Sequence, residues 1–434
     1  MSFREFVENA EKSGKLVKIS KPVSKNLEAA GILAELGDRP VLMENVKESQ
    51  FRIAGNLCIS KAAFASYFGI EVKELVPKMI DAMQNPKKPD ETDNAPSQEV
   101  EMDGVDLDKI PILYHCSNDG GNYVSSGVFV IKKANGMQNL DFHRAMQISK
   151  NRFAIRVVSN RDLDTALKEA GGEIDAIMCV GCSPNVLLAA AMSVDPAIDE
   201  MHIANALENL KVTRAKTADL LIPADCEFVL EGRILRERHD EGPFVDLTET
   251  YDIVRQEPVF EVRKITHRKD AIWHGLLPGK LEHRVLMGMP REPTIFRKVN
   301  EAGVKCLDIN INPGGCSWLH GIVKIEKKSE DDGKKAIEAA FEGHKSMKHV
   351  FIVDEDININ DPLDVEWAMS TRFQASRDMI VKKGEKGSSL DPSANPMTKE
   401  TTKVGFDLTM PVGDERKNFL RAEFPHVDVK KFLE

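Results

Sequence analysis

Residues 228–246 read FVLEGRILRERHDEGPFVD. The first eight, Phe228–Leu235, are rich in the β-branched and aromatic side chains that suit a buried pleated surface, so a strand is expected there. The run then turns polar and closes on Glu241-Gly242-Pro243-Phe244-Val245-Asp246, where the Gly-Pro pair marks a turn. Working outward, Val124–Lys133, Arg152–Ser159, Ala218–Pro223 and Phe260–His267 have the same strand character. One helix-like run, Asn185–Ser193, interrupts them. Many strands with few helices imply a barrel or sandwich that can hold a site.

The flanks read differently. Before the connector Asn85–Ser97, which is polar and proline-rich, an amphipathic helix is expected at Phe3–Lys12. Short strands are expected at Pro40–Val46 and Phe51–Leu57, and a helix at Val72–Met83 that Pro77 must bend or restart. After 292 come a helix at Thr294–Ala302, strands at Lys305–Ile311 and Ile322–Glu326, a helix at Gly333–Ser346 and a strand at His349–Val353. Asp361-Pro362 begins a helix well, Asp as N-cap and Pro at the first position. A Gly-, Ser- and Pro-rich tail follows residue 380, with a short helix near 414–421. The expected fold class is α/β plus β: an N-terminal α/β domain (1–108), a central β domain (109–291) and a C-terminal α/β domain with the tail (292–434).

Composition narrows the function. A chain of 434 residues with 42% apolar and 29% charged side chains is ordinary globular material able to bury a large core. The net charge of −10 argues against nucleic acid as the main partner, yet leaves room for a small anionic substrate in a local basic pocket. The most apolar stretch, Ile177–Val194, is broken by Gly181, Ser183, Pro184 and Asn185, so no membrane span is expected. The N-terminus lacks a signal-peptide apolar core, and the expected compartment is the cytoplasm. Seven cysteines without framework spacing make disulfides unexpected there. Cys179 and Cys182 form a lone C-x-x-C; zinc needs a second pair, and buried thiols suffice to explain it. Motifs of phosphate loops, dinucleotide folds, serine hydrolases and zinc proteases are absent from the sequence.

Three constellations could carry chemistry. Glu241 and Asp246, five apart across the Gly-Pro turn, can face one cavity; close carboxylates repel, and one then holds a proton near neutral pH. The plainer reading is two solvated loop acids beside Arg236, Arg238 and His239. Asn139-Leu140-Asp141-Phe142-His143-Arg144 offers an amide oxygen for a hard cation, an imidazole, and an arginine able to clamp a carboxylate. Glu200 could complete a hard-metal site, or be a surface acid.

Taken in order, these stretches resemble the UbiD decarboxylase family. Asn139 and Arg144 fit its N-x-x-x-x-R. Val229-Leu230-Glu231-Gly232 is followed at the right distance by Glu241 to Asp246. Later come Phe351 to Ile357, Asp361-Pro362, Val365 to Met369, Thr371-Arg372-Phe373 and Thr402 to Asp407. The resemblance spans roughly residues 1–412.

That resemblance implies a central split β-barrel binding flavin and a C-terminal domain aiding homo-oligomer formation. It implies prenylated FMN, supplied by a flavin prenyltransferase, with Mn2+ or Mg2+, and K+ nearby. The metal ligands carry over to Asn139 and Glu200. The family's histidine falls at Asn160-Arg161-Asp162, where Asp162 supplies oxygen instead and His143 is the fallback. Arg144, Arg161 and Lys345 join the cofactor-binding set. The catalytic acid–arginine–acid network falls on Glu241, Arg144 and Asp246, with Glu241 donating the proton and Arg144 holding the other acid ionised. The substrate is then a small unsaturated acid. Similarity to compact archaeal members points to trans-anhydromevalonate 5-phosphate, giving isopentenyl phosphate, with Lys280, His283, Arg284 and Arg291 as candidates to seat its phosphate. Rival readings are an aromatic (hydroxybenzoate or polyprenyl-hydroxybenzoate) decarboxylase and an FMN-binding redox or assembly protein.

Overall fold

The computed structural model describes residues 1–422 and 424–433; Glu423 and Glu434, inside the expected C-terminal stretch, lie outside the described residues. The chain divides into two compact units. The first is Met1–Pro293 with Ile311–Leu319 and Ser388–Met397, and the second is Thr294–Asn310, His320–Gly387 and Thr398–Glu434.

The strand beginning at Phe228 runs to Glu241 and is the spine of the first unit. It pairs antiparallel with Arg255–His267 on one side and Ile174–Val180 on the other. Outward on one flank lie Arg152–Ile155, Ala145–Gln147 and Tyr123–Val124; on the other lie Val128–Lys132 and Gln138–Phe142, with Val100–Glu101 on the end of Arg255–His267. Register shifts at Glu231/Gly232 and Leu235/Arg238 increase the local twist and curl the sheet. The edge strands Tyr123–Val124 and Gln138–Phe142 do not pair, so the sheet is a half-barrel rather than a closed one. Phe129, Phe153, Phe228, Phe260 and Trp273 fill its core.

Residues on both sides of 108 belong to this unit: Leu107 is fully buried in the sheet's core, and Val100–Glu101 extends the sheet itself. The connector is tied down as well, since Asp90–Glu91 pairs with Lys211–Arg214. The second unit has a five-stranded mixed sheet, His320–Glu326 and His349–Val353 running parallel at its centre. The 291/292 boundary falls two residues from the division between units.

Helix ends follow their caps. Phe3–Lys12 starts at a Ser2/Glu5 capping box, and Pro362–Arg372 starts at Asp361. Before Pro77 a 3-10 turn, Val72–Glu74, gives way to a fresh helix, Leu75–Gln84, which places the proline in the first turn. The helix expected at Asn185–Ser193 is Pro184–Ala190. The tail expected to be irregular contributes two strands, Met379–Lys386 and Glu400–Asp407.

Candidate active site

Glu241 is the last residue of the long strand, and the chain turns sharply after it. Gly242 has φ +104°, a region only glycine enters freely, and a Cβ on Gly120 would meet the Gly242 carbonyl oxygen at 2.2 Å. The chain then forms a ribbon, Phe244–Val245 against Tyr251–Asp252, with Phe244 opposite Asp252. Asp119 pins this ribbon by accepting the Val245 and Cys116 N–H groups at 3.2 and 3.0 Å.

The ribbon gathers three carboxylates on one guanidinium. Arg144 donates from Nε and Nη2 to the two oxygens of Glu241, both at 2.9 Å. Its Nη1 reaches Asp246 Oδ2 at 2.6 Å, and Nη2 also reaches Asp252 Oδ2 at 2.9 Å. Arg255, opposite Glu241 in the register, holds Asp252 from the far side at 2.6 Å. The Tyr123 hydroxyl donates to Glu241 Oε1 at 3.0 Å, and the Arg144 guanidinium stacks 4.6 Å over the Phe244 ring.

Glu241 is wholly buried, while Asp246 keeps 16% of its side chain exposed. The solvated-acid alternative is therefore wrong for Glu241. Arg236 and Arg238 instead bond the Gly171 and Gln256 carbonyls, and His239 meets the carbonyl of Asp240. The expected division of labour needs correcting too: Arg144 grips both acids, and Glu241 with two bonds. Burial opposes ionisation of Asp252, yet Arg255 and Arg144 outweigh it and bring its pKa down to about 2. Burial opposes the Arg144 charge, but the surrounding carboxylates raise its proton affinity further.

Two imidazoles, buried His115 and half-buried His283, adjoin this centre. His283 accepts the Gly279 N–H at Nδ1 and is kept neutral by burial, against the pull of Asp246 and with the push of Arg144 and Arg284. His115, next to it, falls to about 3, by burial first and then His283.

A second cluster surrounds Glu200, which is 3% exposed and so not a surface acid. Its Oε2 accepts the Leu140 N–H at 3.0 Å. Burial raises its pKa to about 8. In the orientation that satisfies both its atoms, the Asn139 amide donates to Asp141 Oδ2 at 3.3 Å and its oxygen accepts the Leu140 N–H at 3.2 Å. Asn139 and Glu200 are buried and Asp141 is partly so, and their hard oxygen atoms suit a divalent cation. His143 is engaged elsewhere: Nδ1 sits 2.9 Å from the Arg156 carbonyl, so it carries hydrogen, and Nε2 lies 2.8 Å from Asp141. Burial disfavours a charged His143 ring, but Asp141 outweighs it and raises the pKa.

The remaining expected residues lie apart. Asp162 opens the helix Asp162–Glu169, half-buried, with exposed Arg161 at its cap; neither makes a hydrogen bond to Glu200 or Asn139. Lys345 is in the second unit, exposed, its carbonyl accepting from Lys403. Among the described residues no three His, Cys, Asp or Glu side chains gather as a metal cluster. Glu231 caps the Lys216–Thr217 turn through three bonds and is structural. Cys179 and Cys182 are fully buried, with burial among the causes that raise both thiols. Tyr123, Asp141 and Asp252 were not singled out from the sequence; strand register brings them in, and no spacing signals it.

The curled antiparallel sheet thus carries one arginine clamped between paired acids. Three signatures of the 3-octaprenyl-4-hydroxybenzoate carboxy-lyase family match in order: the N-terminal domain at 7–83, the Rift-related domain at 88–281 and the C-terminal domain at 284–408. The chain belongs to the UbiD family. It is 40% identical, over 92% of its length and 95% of the relative's, to anhydromevalonate phosphate decarboxylase of Methanothermobacter thermautotrophicus. The UbiD-class enzyme HmfF from Pelotomaculum thermopropionicum, in complex with FMN, superposes with a TM-score of 0.96 at 32% identity, all of both chains covered. An evolved dimeric form of HmfF with prFMN gives 0.92 at 31%, again over all of both chains. No helix among the described residues is long and apolar enough to cross a membrane.

Proposed function

We propose that this chain is a non-oxidative decarboxylase that converts trans-anhydromevalonate 5-phosphate to isopentenyl phosphate with prenylated FMN. One observation carries the reading: a single buried guanidinium, Arg144, holds Glu241 by two bonds and Asp246 by one, in a chain 40% identical to a relative of that activity.

The reaction removes CO2 from an enoate and places a proton on the carbon that carried it. The proton comes from the Glu241–Asp246 pair. Three carboxylates share the charge of two guanidiniums there, and one of the pair serves as the acid that delivers the proton. The exchange of the carboxylate's electron pair through a bound prenylated flavin is the cofactor's contribution. Arg144 keeps both acids at fixed positions, and Tyr123 orients Glu241 through its hydroxyl. Neutral His283 sits beside Asp246 without adding a competing charge.

Asn139 and Glu200, with Asp141 against them, would hold Mn2+ or Mg2+, whose charge anchors the flavin phosphate; K+ would sit nearby. Arg161 and Asp162 are assigned to the same phosphate end. For the substrate phosphate, Lys280 and Arg284 are committed to Glu249 at 3.1 and 2.9 Å. Arg291 is half-buried, bonds Ser193 Oγ and lies 5.4 Å over Trp318. Burial, then neighbouring Arg161, lower its pKa to about 10. A split-barrel flavin domain, a flavin prenyltransferase partner, homo-oligomer assembly and a cytoplasmic setting complete the proposal.

The test is CO2 release by flavin-loaded protein, offered anhydromevalonate phosphate and hydroxybenzoates in parallel. Release from the phosphorylated acid alone supports the reading. Release from the aromatic acids alone overturns the substrate, and release from neither overturns the activity.

A further inference from the structure

Asp252 stands in the catalytic cluster with no part assigned to it. It is not near Glu241 in any motif; the ribbon register Phe244↔Asp252 delivers it. One oxygen, Oδ2, accepts from both Arg144 and Arg255, at 2.9 and 2.6 Å. The other accepts the Ile253 N–H at 3.0 Å. Arg144 Nη2 is therefore shared between Asp252 and Glu241.

We propose that Asp252 is a positioning residue for the reaction, a fixed negative charge that draws on Arg144 and so keeps one proton on the Glu241–Asp246 pair. This rests on the decarboxylase reading above. The charges facing the pair are few. From the strands come Arg144, Arg255 and the Tyr123 hydroxyl; from the ribbon, Asp252; from the preceding loop, Asp119; from the helix Leu281–Gly288, neutral His283 and, behind it, Arg284. Lys280 and Arg284 already answer Glu249. Within hydrogen-bonding reach, two guanidiniums meet three carboxylates, and the third carboxylate is the reason an acid survives. Without Asp252 the two guanidiniums would suffice to ionise both Glu241 and Asp246, and no proton donor would remain.

The sign of the effect separates this role from a structural one. Asp252→Asn removes a negative charge, lowers the pair's proton affinity and moves the basic limb of the kcat/KM profile down by about one pH unit. Arg255→Gln removes a positive charge and moves the same limb up by about as much. Activity at pH 7 falls about tenfold in the first variant, while KM changes less than twofold. Infrared titration of the protonated carboxyl band in cofactor-free protein, after subtraction of a Glu241→Gln/Asp246→Asn double variant, reads the same proton without turnover. The band should vanish at lower pH in Asp252→Asn and persist to higher pH in Arg255→Gln. Opposite shifts in the two variants support the role. Unmoved limbs and bands, or shifts in one direction, overturn it. Should the wild type release no CO2 while the bands still shift oppositely, the decarboxylase reading fails and the Asp252 assignment stands.

Discussion

Arg144 and Arg372 are both buried in their side chains and clamped by acids, and only the first is proposed as part of a reaction centre. Arg372, in the second unit, is fully buried and bonds Asp354 at 3.1 Å and Asp356 at 3.0 and 2.5 Å. Arg416 reaches Asp354 as well, at 3.3 Å, and the Met410 N–H satisfies it further at 2.7 Å. Two cations there meet three acids, since Arg416 also reaches Glu355 at 3.4 Å, and the network closes the end of the helix Pro362–Arg372. Arg144 is built from the same parts, but its acids meet at the end of the long sheet strand rather than at a helix end. A bidentate arginine is thus no sign of catalysis by itself. The Tyr123 hydroxyl on Glu241 and the imidazole of His283 beside Asp246 are what distinguish the first from the second.

That contrast can be broken by mutation. Glu241→Gln should cut CO2 release about 10³-fold, some 4 kcal/mol of transition-state stabilisation, with an unchanged unfolding midpoint; near-normal turnover would remove Glu241 from the mechanism. Arg372→Met should do the opposite. Breaking a buried pair costs about 3 kcal/mol, read by urea unfolding, while the kcat of folded, flavin-loaded protein stays within twofold. A matching loss of kcat would erase the distinction between the clusters.

Acid should find the Arg144 cluster through Asp252. Its folded pKa lies near 2, below the ordinary 3.8, so its contribution is complete above about pH 4 and is lost as pH falls toward 2. After discounting for partial solvent exposure, the contribution is about 1–2 kcal/mol. Stability profiles of wild type and Asp252→Asn should converge by pH 2; parallel profiles would contradict it. The smallest effect is expected of Tyr123→Phe. Losing one neutral bond to a carboxylate costs about 1 kcal/mol, or a three- to tenfold drop in kcat with KM unmoved.

Much of this was legible in the sequence where local rules decide. Ser2 with Glu5 and Asp361 with Pro362 set helix starts to the residue, and the run Phe228–Leu235 marked the spine of the sheet. The strand Ile174–Val180 was hidden because a sheet core buried on both faces gives an unbroken apolar run with no alternation. Gln138–Phe142 was hidden for the opposite reason, its polar residues being those that face the site. Met379–Lys386 is exposed along most of its length and shows no core-facing pattern. In the site, Asn139, Arg144, Glu200, Glu241 and Asp246 came from motif order. Asp252 and Tyr123 come from cross-strand register, which no spacing along the chain encodes. Asp141 lay inside a quoted motif, but its contact with Asn139 needed the folded strand.

The most direct test follows the proton itself. Flavin-loaded protein is given trans-anhydromevalonate 5-phosphate in D2O, and the product is weighed by mass spectrometry. Isopentenyl phosphate carrying one deuterium on the carbon that lost the carboxylate, formed by the wild type and almost absent with Glu241→Gln, is the expected result. Deuterated product formed equally fast by both proteins, or an acid recovered unchanged from the wild type, would contradict it.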